Sequence, residues 1–166
     1  MREFDSNGLR LAEYQGKLFE MSCEYFNCST KIFIRRFYYS KLSKLLDKND
    51  SSLISFDVIE GLNTIEDQFG RIEYGKNKYN KESLFWVGYL YRYISYTRNV
   101  STRFIMKLFN YEKLFELYYV YHTQDMEWCV SNLLEIYNYN EKIFDKNYRL
   151  KESLKLVRST CTNNFN

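Results

Sequence analysis

The sequence predicts an all-α protein: a compact, single-domain bundle of about seven to eight helices around a central hydrophobic helix at residues 81–99. Apolar residues recur every three or four positions through most of the chain, which places them on one face of a helix. Asn, Asp, Ser and Gly separate these segments at helix length, and proline is absent. No segment keeps the strict alternation of a β-strand for more than a few positions.

The N-terminal part of the chain predicts three helices. The first covers about residues 9–27, and the second runs from Ser29 or Thr30 to about residue 47. Asp57 followed by Glu60 has the spacing of a capping box, which predicts the start of a third helix. Gly70 is expected to end that helix, and residues 70–80 form a polar connector between the N- and C-terminal helical halves.

The helix at residues 81–99 is apolar nearly all round. One face carries Leu84, Val87 and Ile94, and another carries Trp86 and Leu90. A helix of this kind belongs inside a domain, with other helices around it. Gly88 costs such a helix about 1 kcal/mol relative to alanine, so we expect it to permit a close crossing by a neighbouring helix.

Four more helices complete the predicted bundle. A short one starts at Asn99 or Ser101, and Asn110 and Asp125 are predicted to cap the next two. A more charged helix covers about residues 141–158. We therefore predict one helical domain at residues 1–158, followed by a mobile polar tail at 159–166.

Charge and cysteine usage narrow the functional classes. The formal net charge of +3 is too small for the concentrated field that dominates nucleic-acid affinity. Cys23, Cys28, Cys129 and Cys161 match no zinc or redox spacing, so no metal or cofactor is predicted. The N-terminus has no apolar signal region and no stretch approaches a membrane span, so we expect a cytoplasmic protein with reduced cysteines.

The sequence does not predict an enzyme. No glycine motif for phosphates is present. The single histidine, His122, could act as a general base, but a structural histidine at a helix–helix corner is the favoured interpretation, also over a catalytic pair with Cys129. Glu60, Glu66 and Asp67 lie on one predicted helix, and a solvated face explains them better than an acid–base pair.

Two loose groups of basic residues leave a nucleic-acid-binding regulator as the alternative function. At about 100° per residue they spread around their helices rather than forming one stripe, so ordinary surface charge is the favoured interpretation. The first group is Arg35, Arg36, Lys41, Lys44 and Lys48, and the second is Arg92, Arg98, Arg103 and Lys107.

The C-terminal half carries a pattern of aromatic residues around its histidine. Phe115, Tyr119, the run Tyr121-His122-Thr123 and Trp128 form the pattern F-x-x-x-Y-x-Y-H-T-x-x-x-x-W, and an aromatic-rich segment at residues 85–93 precedes it. Over residues 81–137 the chain resembles a small uncharacterised bacterial helical family. In that family a Tyr-His-Thr turn joins two short helices, and its genes are commonly found beside genes for ADP-ribosyltransferase-like toxins.

The resemblance implies an antitoxin or accessory role in a toxin–antitoxin or defence system. The expected function is therefore a protein-binding module that neutralises a partner protein, possessing an exposed aromatic patch because aromatic residues anchor interfaces. The resemblance concentrates on one corner of the chain, so this is where we predict partner binding. The predicted residues are Tyr118, Tyr121, His122, Thr123 and Trp128.

Overall fold

The computed structural model describes residues 1–51 and 57–162, and within these ranges it contains helices and no strand. The all-α prediction is confirmed. The helices are α1 (Ser6–Tyr25), α2 (Thr30–Tyr39), α3 (Lys41–Leu46), α4 (Val58–Phe69), α5 (Lys81–Thr97), α6 (Thr102–Leu108), α7 (Tyr111–Tyr121), α8 (Met126–Ile136) and α9 (Lys146–Thr162), with a 3-10 helix at Glu141–Phe144.

Side-chain caps fix several helix starts where the sequence placed them. Asp57 accepts a hydrogen bond from the backbone N–H of Glu60 at 2.8 Å, and Asn110 accepts one from Glu112 at 2.9 Å. Such caps satisfy backbone donors that have no partner inside the helix. Of the two candidates for the start of α6, the cap is Ser101.

Two segments predicted as single helices are each divided in the structure. Ser40 has extended backbone angles (φ −70°, ψ 156°) and separates α2 from α3. Its hydroxyl accepts from the N–H of Ser43 at 2.9 Å, so the serine ends one helix and caps the next. Asp145 does the same further on: it separates the 3-10 helix from α9 and accepts from the N–H of Tyr148 at 2.9 Å. The described ranges therefore hold nine α-helices instead of seven to eight.

The chain divides into two compact units, Met1–Met126 and Glu127–Asn166. The second contains most of α8, the 3-10 helix and α9. Helix α9 continues through residues 159–162, which the sequence assigned to a mobile tail, while residues 163–166 lie outside the described residues. A single domain over 1–158 stays a prediction.

In the first unit α5 packs along α1 and also contacts α6 and α7. The crossing of α1 and α5 depends on small residues. A Cβ atom at Gly88 would lie 2.8 Å from the carbonyl oxygen of Gln15, and one at Gly16 would lie 3.1 Å from that of Phe85. The distance at Gly88 is too short for a Cβ atom, and the distance at Gly16 is tighter than most Cβ contacts, which confirms the close crossing predicted at Gly88.

The connector between α4 and α5 is held by the turn between α1 and α2. Backbone N–H groups of Ser29 and Thr30 donate to the carbonyls of Tyr74 and Asn77 at 3.2 and 3.1 Å. The Lys78 ammonium donates to the carbonyl of Phe26 at 2.7 Å. These bonds fix the end of the connector that leads into α5.

Candidate functional site

The end of α7 is arranged around a histidine that folds back on its own helix. His122 follows the last residue of α7, and its Nδ1 lies 3.0 Å from the carbonyl oxygen of Tyr118. The imidazole also stacks on the Tyr118 ring, with centroids 4.6 Å apart. This contact orients the His122 ring along one wall of a groove.

The groove, which we call the aromatic groove, has a volume of about 480 Å³. Its walls come from α5, α7 and the end of the first unit and consist of Phe85, Trp86, Tyr89, Tyr118, His122 and Met126. The size is within the usual range of about 300–1,000 Å³ for ligand sites. Phe85 and Tyr89 are half-buried, so part of each ring remains accessible from the groove.

Charged residues stand at the rim of the aromatic groove. Lys17 and Glu20 on α1 form an ion pair with 2.7 Å between Nζ and Oε2, and the Lys17 ammonium lies 5.5 Å from the centroid of the Phe85 ring. Glu82 in the first turn of α5 completes the rim. Among the described residues no cation forms an ion pair with Glu82, so its charge is left to solvent or to a ligand.

A second groove, the acidic groove, shares Tyr118 with the first and has a volume of about 510 Å³. Tyr79, Phe115 and Tyr119 line it together with Glu112 and Glu116. The rings of Tyr79 and Phe115 stack 3.7 Å apart, and Tyr119 is 73% exposed. The lining of this groove thus combines aromatic rings with two carboxylates.

Burial and nearby carboxylates raise the pKa of several tyrosines around the grooves. Burial raises the pKa of Tyr118, and the charge of Glu82 raises it further. Burial raises the pKa of Tyr111 to about 12, assisted by its hydrogen bond to Glu112. Burial and then the charge of Glu13 raise the pKa of Tyr89. A phenol with a raised pKa resists becoming an anion, which is the expected response to burial and, to a smaller extent, to nearby carboxylates.

One polar group in the wall of the aromatic groove is unsatisfied. The indole Nε1 of Trp86 is buried and has no hydrogen-bond partner among the described residues, although the ring packs edge-on to Tyr118 at 5.9 Å. An unpaired buried donor costs about 1–3 kcal/mol. Within the described residues, no hydrogen bond therefore offsets the free-energy cost of burying the indole N–H of Trp86.

The predicted partner-binding residues differ in their surroundings. Tyr118 and His122 line the aromatic groove. Tyr121 is only 7% exposed and belongs to the core, whereas Thr123 is exposed in the turn after α7. Trp128 lies on α8 in the second unit and is 45% exposed. Their role in binding stays a prediction.

The grooves also contain residues that the sequence analysis did not select. Glu82, Phe85 and Tyr89 come from the start of α5, and Lys17 and Glu20 come from α1. The small residues Gly8, Ala12 and Gly16 precede Lys17, but nothing in the sequence identifies α5 as the helix that crosses at this point. The sequence did contain one signal for this part of the groove: Phe85 and Tyr89 lie four positions apart and therefore share one face of α5.

Three members of the predicted basic groups are withdrawn from the surface. Arg92 is fully buried, and Arg36 and Arg98 are each 9% exposed. Arg103 is exposed but lies 4.9 Å from the centroid of the Tyr39 ring. Fewer members of the two basic groups are therefore accessible at the surface than the sequence alone suggested.

Neither a metal site nor a membrane helix is found in the described part of the chain. Residues 1–51 and 57–162 contain no group of three or more His, Cys, Asp or Glu side chains placed to hold a metal ion. None of the helices in these ranges combines the length and the apolar character needed to cross a bilayer. Cys129, the candidate partner of His122 in catalysis, is fully buried on α8.

Comparison of the chain with protein-family models, with curated proteins and with solved structures finds no match.

Proposed function

We propose that this protein is a non-enzymatic protein-binding module that acts in the bacterial cytoplasm. Its role is that of the antitoxin or accessory component of a toxin–antitoxin or defence system, and it neutralises a partner protein by direct binding. The partner is a toxin encoded by an adjacent gene.

The observation that carries this proposal is the aromatic groove. Its accessible rings, Phe85 and Tyr89, stand beside Tyr118 and His122, two predicted partner-binding residues, of which His122 belongs to the pattern that carries the family resemblance. Tyrosine and tryptophan offer large, rigid contact area at a low cost in side-chain entropy, and they are enriched among the residues that dominate binding energy. A preformed groove of this composition suits an inserted side chain or helix of a partner.

The scaffold for this groove is α5, which we take to be the central hydrophobic helix of the bundle. Its residues from Ser83 to Thr97 are buried except for Phe85 and Tyr89. Those two exceptions face the groove. A rigid helix holds an interface more precisely than a loop does, so a surface built on α5 loses little entropy on binding.

The alternative, a nucleic-acid-binding regulator, has weaker support. It requires accessible cations concentrated on one face. Arg36, Arg92 and Arg98 are buried, and carboxylates rather than cations predominate around the two grooves.

Co-expression with the neighbouring toxin tests the proposal. Cells that express the ADP-ribosyltransferase-like toxin encoded beside this gene should stop growing, and co-expression of this chain should restore growth and yield a complex that co-purifies. Phe85→Ala combined with Tyr89→Ala should weaken the complex by about 30-fold or more, as expected when interface residues worth about 2 kcal/mol are lost.

Tyr74→Ala provides the control. Tyr74 is 76% exposed in the connector, outside both grooves, and it contributes a backbone carbonyl that the substitution retains. The Tyr74→Ala variant should protect cells as well as the wild type does. A wild-type chain that is folded but neither binds the toxin nor restores growth would show the proposal to be wrong.

A further inference from the structure

The two grooves around Tyr118 combine accessible aromatic rings with carboxylates. Phe85 and Tyr89 are half-buried in the aromatic groove, and Tyr79 and Tyr119 are exposed in the acidic groove, so part of each ring is accessible. The face of an aromatic ring carries partial negative charge and attracts a cation placed over it. Rings next to carboxylates therefore form a chemically defined site for a positively charged group.

The charges along the two grooves are predominantly negative. The lining carboxylates are Glu20, Glu82, Glu112 and Glu116. Lys17 is the only cation among the described residues that line either groove, and its ammonium is already paired with Glu20. Glu116 is paired with Lys113 at 2.8 Å at the surface, and an exposed pair of this kind is weak and open to exchange.

One cation of the chain already occupies the expected position. The Lys17 ammonium lies over the Phe85 ring, 5.5 Å from its centroid, while it contacts the Glu20 carboxylate. Glu82 and Tyr89 line the same groove, so an incoming basic side chain would likewise find a carboxylate and an aromatic ring there. Phosphate groups, in contrast, would meet like charge along both grooves.

We propose that the two grooves bind a segment of the partner protein that carries at least two arginine or lysine side chains, one for each groove. The occupant is a protein segment rather than an isolated amine because both grooves are open and have Tyr118 in common in their linings, so that one chain can place a side chain in each. This inference rests on the proposed function and specifies the chemistry of the partner's docking segment.

Isothermal titration of the full chain with short capped peptides tests the inference. One peptide contains two arginines separated by glycines, and the other contains citrulline at the same two positions, which retains the shape and removes the charge. The arginine peptide should bind, and the citrulline peptide should bind at least about tenfold more weakly, since two cation–π and charge contacts are lost.

Variants locate the binding. Glu82→Gln and Glu116→Gln should each weaken the arginine peptide several-fold, and Tyr89→Leu should do the same without altering net charge. Glu152→Gln is the matched control because Glu152 forms a similar exposed helix pair with Lys155, at 2.7 Å, in the second unit. It should leave the affinity unchanged. Thermal melts of all four variants establish that they are folded.

Four results would overturn the inference. Equal binding of both peptides, or no binding of either at millimolar concentration, would exclude recognition of a cation. Spermidine binding as tightly as the arginine peptide would indicate a site for free polyamines. A single-stranded oligonucleotide that binds in place of the peptides, and is lost with Tyr89→Leu, would indicate an anionic polymer.

The inference and the proposed function can fail separately. If the arginine peptide does not bind while the chain still protects cells from the toxin, the docking chemistry is wrong and the antitoxin proposal stands. If the peptide binds as described but the chain never binds or neutralises the toxin, the cation-binding grooves stand and the antitoxin proposal is wrong.

Discussion

The guanidinium of Arg92 lies 3.2 Å from the carboxylate of Asp47, and the arginine side chain is fully buried. Arg92 also donates to Gln15 Oε1 at 3.0 Å and to the carbonyl of Leu46 at 2.9 Å. Asp47 in turn accepts from the N–H of Thr102 at 2.9 Å. Since these residues belong to or adjoin α1, α3, α5 and α6, one buried cation ties four helices together.

The first prediction concerns this network. Burial lowers the pKa of Arg92 to about 10, and Asp47 opposes the shift, so the arginine stays charged at neutral pH. Arg92→Ala should lower the free energy of unfolding by about 3–5 kcal/mol, because it leaves the buried acceptors without a donor. Urea denaturation measures the change. Arg103→Ala, which removes an exposed arginine, is the control, and equal stability of the two variants would contradict the role of the network.

The second prediction concerns the helix crossing at Gly88. Alanine normally stabilises a helix by about 1 kcal/mol relative to glycine, but Gly88→Ala should destabilise the protein because its Cβ would press on the carbonyl of Gln15 and on Phe19. Overpacking of this kind costs about 1–3 kcal/mol. Thermal and urea denaturation measure the loss.

Gly61→Ala is the contrasting substitution. Its nearest obstacle is the hydroxyl of Tyr14, a side-chain atom that donates to the carbonyl of Asp57 at 3.3 Å, rather than a backbone atom. It should cost less than Gly88→Ala. A Gly88→Ala protein as stable as the wild type would mean that α1 and α5 can separate without cost.

The crossing shows how far the sequence predicts the fold. Helix positions follow from local spacing, and a glycine inside an apolar helix is itself a sign of close approach, so Gly88 could be interpreted correctly. The helix that crosses α5 at Gly88 could not be predicted, although Gly8, Ala12 and Gly16 place small residues at every fourth position of α1. The breaks at Ser40 and Asp145 were missed because apolar spacing continues through them while a polar side chain captures the next helix start.

The third prediction concerns α5 as a core element. Trp86 is 4% exposed and Ile94 is fully buried, so Trp86→Ala and Ile94→Ala should each cost several kcal/mol, about 2–5 for a large core truncation. Trp86→Phe should cost much less, because it keeps the aromatic packing on Tyr118 and removes the unpaired indole N–H. Urea denaturation distinguishes them. Equal losses for Trp86→Phe and Trp86→Ala would imply that the N–H contributes a bond.

The candidate site was less accessible to sequence reasoning than the fold. His122 and Tyr118 were selected, and they do lie together because the i and i+4 positions share a helix face. The carboxylates and rings from α1 and α5 join them only through tertiary packing. In the sequence, Arg92 was grouped with other basic residues as surface charge. In the structure its side chain is fully buried and forms an ion pair with Asp47.

The fourth prediction is a loss of stability in alkaline solution. Burial raises the pKa of six tyrosines above the ordinary value, namely Tyr14, Tyr25, Tyr89, Tyr96, Tyr111 and Tyr118. From about pH 10 upward the unfolded chain releases phenol protons that the folded chain retains. The contribution of these phenols to the free energy of unfolding should therefore be constant below this pH and be lost as pH rises through the raised values.

The lowered pKa of Arg92 acts in the opposite direction, since the folded chain would lose that proton first, but one group is set against six. Urea denaturation between about pH 8 and pH 12, with tyrosinate absorbance recorded in parallel, measures the effect. Tyr111→Phe should make the decline shallower. Stability that rises across this range would show that the phenols are not protected by burial.

The last prediction concerns the corner around His122. Tyr121 and His122 differ in exposure, so substitutions at these two positions distinguish a binding role from a structural one. Tyr121 is buried, so Tyr121→Ala should lower the melting temperature, and any loss of binding to the proposed toxin should follow the loss of fold. His122 is exposed, and its Nδ1 bond to the Tyr118 carbonyl closes the end of its own helix. His122→Ala should therefore cost no more than about 1 kcal/mol.

If the corner contacts the toxin, His122→Ala should abolish or strongly weaken the complex at nearly unchanged melting temperature, and cells co-expressing the toxin should stop growing. Trp128→Ala and Thr123→Ala, which alter exposed residues in the second and first units, extend the test to the rest of the predicted corner. Complex formation and thermal melts are measured on the same preparations. If all three exposed variants keep both their stability and their protective effect, then only the aromatic groove's other walls remain to carry the binding.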